Sequence, residues 1–205
     1  MVATHEPRRQ ERGRRRIELI LDAAEEVIAE VGYEAATTNL IAARAQISPG
    51  SLYQYFANRA AIVEALNARF VAHLAAARHG LDVVDLVGRP IPVLVDRIVD
   101  PIVDFSVAHP SANALLASVD VVPELAASGR ALHTAIAERI GALVAAIAPG
   151  RGAHDRALAT TVSLQILAGV LPTIVTAPPR ERRALVRELK RALGAYWSTL
   201  SPSGS

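Results

Sequence analysis

Apolar residues recur at intervals of three and four along most of this 205-residue chain, and such intervals place them on one face of an α-helix. The first such stretch runs from Arg14 to Val31 and is followed by Gly32, a residue that commonly ends helices. Another begins after Asn58, whose side chain can cap a helix, and continues to about Arg78. Aromatic residues make up only 4% of the chain, so small and aliphatic residues must fill the core. The sequence therefore predicts an all-α fold.

Helical spacing returns in the second half of the chain, after a loop that glycines and prolines predict at residues 80–92. Pro101 lies inside the next helix and should kink or split it, because proline removes a backbone donor. Proline and glycine also separate most of the later segments. The predicted helices of this half span residues 91–109, 111–118, 123–148, 157–179 and 180–200.

The stretch from Thr37 to Phe56 is predicted to form two short helices joined by a tight turn. Thr37 and Ser48 are suitable N-caps, since their hydroxyl groups can accept hydrogen bonds from backbone N–H groups of the helix that follows. The second helix would begin at Pro49, where the missing N–H costs nothing. Two short helices joined in this way form a helix-turn-helix unit.

The second of these helices has a composition that suits contact with DNA. Its first residues are small and it has almost no charge, and hydroxyl and amide side chains follow. Small residues permit a close approach to base edges, and hydroxyl and amide groups can bond to bases and phosphates. An ordinary helical hairpin with aromatic packing residues has the same spacing, so the pattern alone leaves both interpretations open.

From Arg15 to about Phe70 the chain resembles the DNA-binding domain of the TetR-type family of bacterial repressors. The resemblance is carried by three pieces in the family's order and spacing, ILDAAEEVIAEVGYEAATT, IAARAQIS and GSLYQYFANRAAIVEAL. Two positions depart from the usual pattern. Gln46 stands in the turn where glycine is commoner, so a left-handed backbone there would carry a side-chain cost. Arg59 stands where lysine is commoner, which keeps the charge and changes its geometry.

The resemblance implies that the helix-turn-helix binds double-stranded DNA. Gln54 is the best candidate for reading a base, because an amide can pair with adenine through two hydrogen bonds. The side chains of Thr38, Tyr53 and Tyr55 are better placed for phosphates, which position a protein without specifying sequence. Arg59 belongs to the same group. The residues implied to contact DNA are Thr38, Asn39, Arg44, Pro49, Gly50, Ser51, Tyr53, Gln54, Tyr55 and Arg59.

Charge is unevenly distributed along the chain. The net charge is only +2, yet residues 1–16 contain six arginines against two glutamates. A basic segment before a helix-turn-helix can clamp phosphates or the minor groove, and a solvated tail is the alternative. We predict four parts: a flexible basic arm at residues 1–13, a DNA-binding domain at 14–60, a helical effector-binding and dimerisation domain at 61–200, and a tail at 201–205.

Nothing in the sequence predicts catalysis, a metal site or a cofactor. None of the six histidines has the HExxH spacing or another ligand spacing, and no glycine-rich phosphate loop is present. The chain has no cysteine, which excludes disulfides and thiolate metal sites. Its first residues are charged rather than apolar, so no signal peptide is expected and we predict a cytoplasmic protein.

The segment from Ala157 to Pro179 has no charged residue and is apolar on every face. It is long enough to span a membrane, but its hydroxyl and amide side chains and the lack of flanking aromatic residues argue against a span. We interpret it as a helix that packs on its own domain and on a partner, beside a final helix with an apolar stripe. Two helices from each subunit would then form a homodimer, which the resemblance also implies, and packing within one chain is the alternative. The predicted interface residues are Leu167, Leu171, Leu185, Leu189, Leu193, Tyr196 and Trp197.

The second domain has few polar groups within its apolar helices, which favours an apolar pocket for a neutral, hydrophobic effector. The candidate pocket residues are Phe70, His73, Phe105, Asn113, Ser118, His133, Thr161 and Gln165. Together with the resemblance, the pattern predicts a homodimeric, ligand-responsive regulator of transcription that binds a palindromic operator, in this family most often as a repressor. The alternative is a helical protein that binds a partner protein or a small molecule without binding DNA.

Overall fold

The computed structural model describes residues 6–76, 88–118 and 126–200. These ranges contain helices and no strand, so the all-α prediction is confirmed for them. The helices are α1 (Glu6–Ala35), α2 (Thr38–Arg44), α3 (Pro49–Tyr53), α4 (Arg59–Ala76), α5 (Ile91–Ala108), α6 (Pro110–Ser118), α7 (Ala126–Ile147), α8 (Ala153–Thr176) and α9 (Pro179–Ser198).

The first helix is longer than predicted. α1 begins at Glu6, so residues 6–13, which the sequence assigned to a flexible arm, are helical. Arginine and glutamate are both favourable in helices, and Arg15 Nη2 donates to Glu11 Oε1 at 2.6 Å, one turn away. At the predicted end the helix breaks, because Gly32 leaves the helical conformation with φ +76° and ψ 170°, and a short helical stretch continues beyond it to Ala35.

α5 continues through Pro101 as one helix, so the predicted split does not occur. Buried side chains such as Ile98 and Ile102 flank the proline. Each contributes about 1.5–3 kcal/mol by burial, which together offsets the cost of about 3 kcal/mol for an internal proline. The predicted loop at residues 80–92 agrees with the structure at residues 88–90, its last two residues belong to α5, and residues 80–87 lie outside the described ranges.

Helices α1 to α4 enclose a core that continues into the second half of the chain. Its fully buried side chains include Ile20, Ile28, Ile41, Leu52, Leu66 and Phe70. The same cluster contains Leu115 of α6 and Leu132 of α7. The helix-turn-helix is therefore supported by α1 and α4, and these two helices in turn pack on α6 and α7.

Helices α5, α7, α8 and α9 enclose a second core. Its largest side chain is that of Trp197, which is fully buried and donates through Nε1 to Ser163 Oγ at 2.9 Å. Ser163 in turn donates to the carbonyl oxygen of Ala159 at 2.8 Å. The indole is therefore buried with its N–H group bonded, as buried tryptophans usually are.

α8 is the charge-poor helix that the sequence singled out. It is long and apolar enough to cross a membrane by length and composition, and only 22% of its most apolar window is buried within the subunit. One face, which includes Ser163 and Leu167, packs on α5, α7 and α9. The opposite face is exposed and includes Leu158 and Val162. In a single subunit, α8 is therefore buried on one side and open on the other.

Candidate nucleic-acid interface

The helix-turn-helix has the local geometry that its sequence predicts. Thr37 Oγ1 accepts from the backbone N–H of Leu40 at 3.2 Å, and Ser48 Oγ accepts from that of Ser51 at 3.1 Å. Pro49 occupies the first position of α3. Gln46 in the turn has φ +54°, the left-handed conformation that glycine adopts more easily. Both caps and the strained turn are therefore confirmed.

Apart from Arg44, the two short helices present uncharged side chains. The hydroxyl oxygens of Thr38 and Tyr53 lie 3.1 Å apart, which joins α2 to α3 on this surface. Tyr53 is 52% exposed and Tyr55 38%, although tyrosine rings commonly pack against protein. Most of the other predicted contact residues are also exposed, namely Asn39, Pro49, Gly50 and Gln54, and Ser51 is half-buried. A Cβ added at Gly50 would meet no atom closer than 4.0 Å, so this position is open to an approaching duplex.

Arg44, predicted to contact DNA, forms ion pairs with α1. Its Nη2 donates to Glu30 Oε2 at 2.6 Å, and its Nη1 donates to Glu26 Oε2 at 3.0 Å. The hydrogen bond with Glu30, followed by the one with Glu26, raises the pKa of Arg44, and the bond with Arg44 lowers the pKa of Glu30. Arg44 therefore ties α2 to α1.

Arg59, the other predicted cation, also binds within the protein. Its Nη1 donates to the carbonyl oxygens of Tyr33 at 3.0 Å, Glu34 at 3.0 Å and Ala36 at 3.3 Å. The guanidinium carbon lies 4.1 Å from the centre of the Tyr33 ring, a cation–π distance. Arg59 therefore fastens the start of α4 to the end of α1.

A polar junction connects α1 with the helices of the second half. Glu25 Oε1 accepts from His109 Nδ1 at 2.6 Å, and Glu25 Oε2 accepts from Arg69 Nη2 at 2.7 Å. Arg69 Nη1 also donates to Asp22 Oδ1 at 2.6 Å. Burial alone would lower the pKa of Arg69, but its hydrogen bonds to Asp22 and Glu18 outweigh this effect and raise it.

None of these junction residues was among the predicted site residues. Glu18, Asp22 and Glu25 recur at intervals of four and three on one face of α1, which was a visible signal. Their partner His109, however, is 84 residues away from Glu25, and no local pattern predicts such a contact.

Glu25→Gln is expected to lower the free energy of unfolding by about 1.5–3 kcal/mol, because two hydrogen bonds to a carboxylate would become bonds to a neutral amide. The Glu25 side chain is only 17% exposed, so water replaces little of the loss. Urea titration followed by circular dichroism measures the change. The matched control is Glu18→Gln, whose side chain is 61% exposed and should contribute less than about 1 kcal/mol. Equal losses in the two variants would contradict the role given to Glu25.

The structure brings together only part of the predicted effector pocket. Phe70 and Phe105 form an edge-to-face pair with ring centroids 5.7 Å apart, and the His73 ring lies 5.4 Å from that of His109. The side chain of Asn113, one turn into α6, donates to the carbonyl oxygen of Ser106 at 3.1 Å. His109 contacts both phenylalanine rings and was missing from the prediction.

The remaining pocket predictions fall elsewhere. His133, Thr161 and Gln165 are exposed, so the structure does not place them in the ring cluster of α4, α5 and His109. Thr161 donates to the carbonyl oxygen of Ala157 on its own helix at 3.0 Å, as hydroxyl side chains in helices commonly do. Ser118 is outside the residues whose side chains the structure describes. The residues of the single predicted pocket are therefore divided between the ring cluster, in which Phe70 is buried and His73 exposed, and exposed positions on α7 and α8.

Most of the predicted dimer residues are buried within the subunit itself. Leu185 and Tyr196 are half-buried. The others pack in the second core, namely Leu167, Leu171, Leu189, Leu193 and Trp197. The apolar stripe of α9 therefore faces its own subunit, because α5 and α8 already cover it. A partner subunit would meet other side chains of α8 and α9.

The two halves of the chain match two family descriptions. Residues 20–66 match the family described as "Bacterial regulatory proteins, tetR family". Residues 90–196 match "Tetracyclin repressor-like, C-terminal domain". No curated protein matches the chain in sequence.

Solved structures share this fold at low sequence identity. A transcriptional regulator from Rhodococcus sp. Rha1 has a TM-score of 0.72 at 19% identity, and the match covers 92% of this chain and 99% of that one. PfmR, a TetR family transcriptional regulator from Thermus thermophilus, has a TM-score of 0.64 at 21% identity, over 88% of this chain and 96% of its own. The fatty acid degradation regulator FadR from Bacillus halodurans has a TM-score of 0.59 at 22% identity, over 86% and 93%. Because both halves match in sequence and the helix-turn-helix has the expected geometry, this chain belongs to the TetR family of bacterial transcriptional regulators.

Proposed function

We propose that the chain is a homodimeric, sequence-specific regulator that acts in the cytoplasm as a repressor and leaves a palindromic operator when a small hydrophobic effector binds. The observation that carries this proposal is the surface of the capped helix-turn-helix, where hydroxyl and amide side chains and two tyrosine rings are exposed. Such a surface can meet both base edges and phosphates.

Selection from a random-sequence duplex library tests the proposal directly. A dimer with two recognition helices should enrich palindromes whose half-sites are about one DNA turn apart, on the order of 34–36 Å. Enrichment of isolated half-sites would contradict the symmetric dimer. The absence of any enriched sequence would contradict sequence-specific binding and favour a helical protein with another kind of ligand.

Gln54→Ala is expected to relax the sequence preference at one base pair in each half-site. An amide that bonds twice to adenine contributes about 1–3 kcal/mol of discrimination against the wrong base. Repeating the selection with the variant measures the change position by position. The matched control is Glu138→Ala, which removes an exposed polar side chain from α7 and should leave every position unchanged. A uniform loss of affinity for all sequences would refute base reading by Gln54.

The junction at Glu25 supports a response to ligand. An effector changes DNA affinity only if it binds two arrangements of the protein unequally. His109 contacts the rings of Phe70 and Phe105 on one side and Glu25 of α1 on the other. A ligand that displaced these rings would therefore act on the helix that carries the helix-turn-helix. Thermal-shift screening against neutral hydrophobic compounds tests the effector class, and stabilisation by cationic compounds alone would contradict it.

The open face of α8 supports the dimer. Leu158 and Val162 are 52% and 42% exposed in a helix whose other face packs in the core. Exposed apolar residues that form a patch commonly mark an interface between proteins. With a two-fold axis beside α8, this face of one subunit would pack on the same face of its partner.

A further inference from the structure

After the arginine-rich start of α1, the rest of α1 and the helix-turn-helix carry an unusual charge for a DNA-binding unit. Residues 17–59 contain six acidic side chains and only two basic ones, Arg44 and Arg59. DNA-binding surfaces usually have a basic excess, because arginine and lysine release counterions from phosphates. We propose that both arginines are positioning residues that act inside the protein, and that neutral hydroxyl groups bind the phosphates in their place. This proposal rests on the proposed DNA-binding function.

The contacts of Arg59 are those of a helix cap. The last carbonyl groups of a helix have no partner within it, and an arginine side chain can supply donors to them. Arg59 does so for three carbonyl oxygens around the end of α1, just after Gly32 breaks the helix. This contact fixes the distance between the end of α1 and the start of α4. The turn before α2 lies between them, so Arg59 controls how the helix-turn-helix is presented.

The geometry also requires arginine rather than lysine. The guanidinium group donates to carbonyl oxygens through one edge while its face lies over the Tyr33 ring. Arginine has a planar group that can do both at once, whereas the lysine ammonium is a compact point charge without a face. An arginine at position 59, where lysine is commoner, is therefore suited to contacts within the protein.

Arg44 cannot supply a net positive charge at this surface. It is bonded to both Glu26 and Glu30, so the three side chains together carry a charge of −1. A phosphate that approached Arg44 would also approach two carboxylates. The ion pairs instead hold α2 at a fixed place on α1.

Neutral hydroxyl groups of the helix-turn-helix can bind phosphates in place of the two arginines. In the pair formed by the hydroxyl groups of Thr38 and Tyr53, one donates to the other, so the second hydroxyl hydrogen can be given to a phosphate oxygen. The hydroxyl group of Tyr55 belongs to another exposed side chain of the same unit. Neutral contacts of this kind release few counterions, so DNA affinity should depend only weakly on salt through this surface.

The test compares the salt dependence of DNA affinity among variants of the full chain, using a duplex enriched by the wild-type protein. Fluorescence anisotropy between about 50 and 200 mM salt gives the slope of log affinity against log salt concentration. Arg59→Gln should weaken binding several-fold and change the slope by less than about 0.3 per subunit, where loss of a phosphate contact would change it by about 0.9. Arg59→Lys should weaken binding as much as Arg59→Gln. Arg44→Gln should also leave the slope near the wild-type value.

Two results would overturn the proposal. One is a slope that falls by about 0.9 per subunit in Arg59→Gln or Arg44→Gln. The other is an Arg59→Lys variant that binds like the wild type while Arg59→Gln does not. Arg191→Gln is the matched control, since it removes one arginine from the exposed surface of α9 and should change neither affinity nor slope.

If the Arg59 variants fail to fold, side-chain nitrogen NMR of the wild type decides the question. An Arg59 guanidinium signal that keeps its position when the duplex is added supports the internal role, and a signal that moves refutes it. If selection enriches no sequence, the proposed regulatory function fails separately. The slopes are then measured on a pooled random-sequence duplex, for which the same results are expected.

Discussion

Replacing both Leu158 and Val162 by arginine should leave the chain monomeric and weaken its binding to a two-half-site duplex by roughly 10²–10⁴-fold. Both side chains are exposed on the face of α8 opposite its core residues, so the arginines should not disturb the fold of one subunit. Across a two-fold axis, however, they would meet their own copies as buried like charges. Light scattering measures the mass, and anisotropy measures the loss of binding by two linked sites.

Leu19→Arg is the matched control for that pair. Leu19 is 42% exposed, the same fraction as Val162, but it lies on α1. The control variant should therefore remain dimeric. A double variant that still has the mass of a dimer would show that the subunits associate through another surface.

Trp197→Ala should lower the free energy of unfolding by about 3–5 kcal/mol, the range for removal of a large buried aromatic side chain. Trp197 is the largest fully buried residue of the second core, and its removal would leave a cavity among α5, α8 and α9. It would also remove the donor that Ser163 accepts from. Because the chain has only one tryptophan, unfolding is followed by circular dichroism rather than fluorescence.

Tyr196→Ala is the matched control for Trp197→Ala, because it removes an aromatic ring from α9 without removing a fully buried side chain. Tyr196 is next in sequence and only half-buried, so its loss should cost about 1 kcal/mol. Similar losses for the two variants would mean that Trp197 is not a principal support of the second core.

Local chemistry made the helix-turn-helix predictable. Thr37, Ser48 and Asn58 cap helices through side chains that reach a backbone N–H three residues later, so a window of a few residues contains the whole interaction. The strained turn at Gln46 was predictable for the same reason. Which residues stand on the exposed surface followed from the same short segments.

Contacts between distant segments were not predictable in this way. The apolar stripe of α9 showed that one side of the helix would be buried, but it contained no information on whether the same subunit or a partner would cover it. Arg59 illustrates a second limit, because a cation suits both a phosphate and a helix end, and only the folded chain brings the carbonyl oxygens of Tyr33 and Ala36 to it. Glu25 and His109 likewise meet only through the fold.

The shared core of α1, α4, α6 and α7 has a consequence for engineering. A hybrid regulator can be designed by joining the DNA-binding domain of one protein to the effector-binding domain of another. Here Leu115 and Leu132 complete the core around Phe70, so a graft that stopped after α4 would leave that core open. A functional hybrid should therefore keep α6 and the start of α7 together with the DNA-binding helices. Otherwise the contacts between these helices and the new ligand-binding domain must be redesigned.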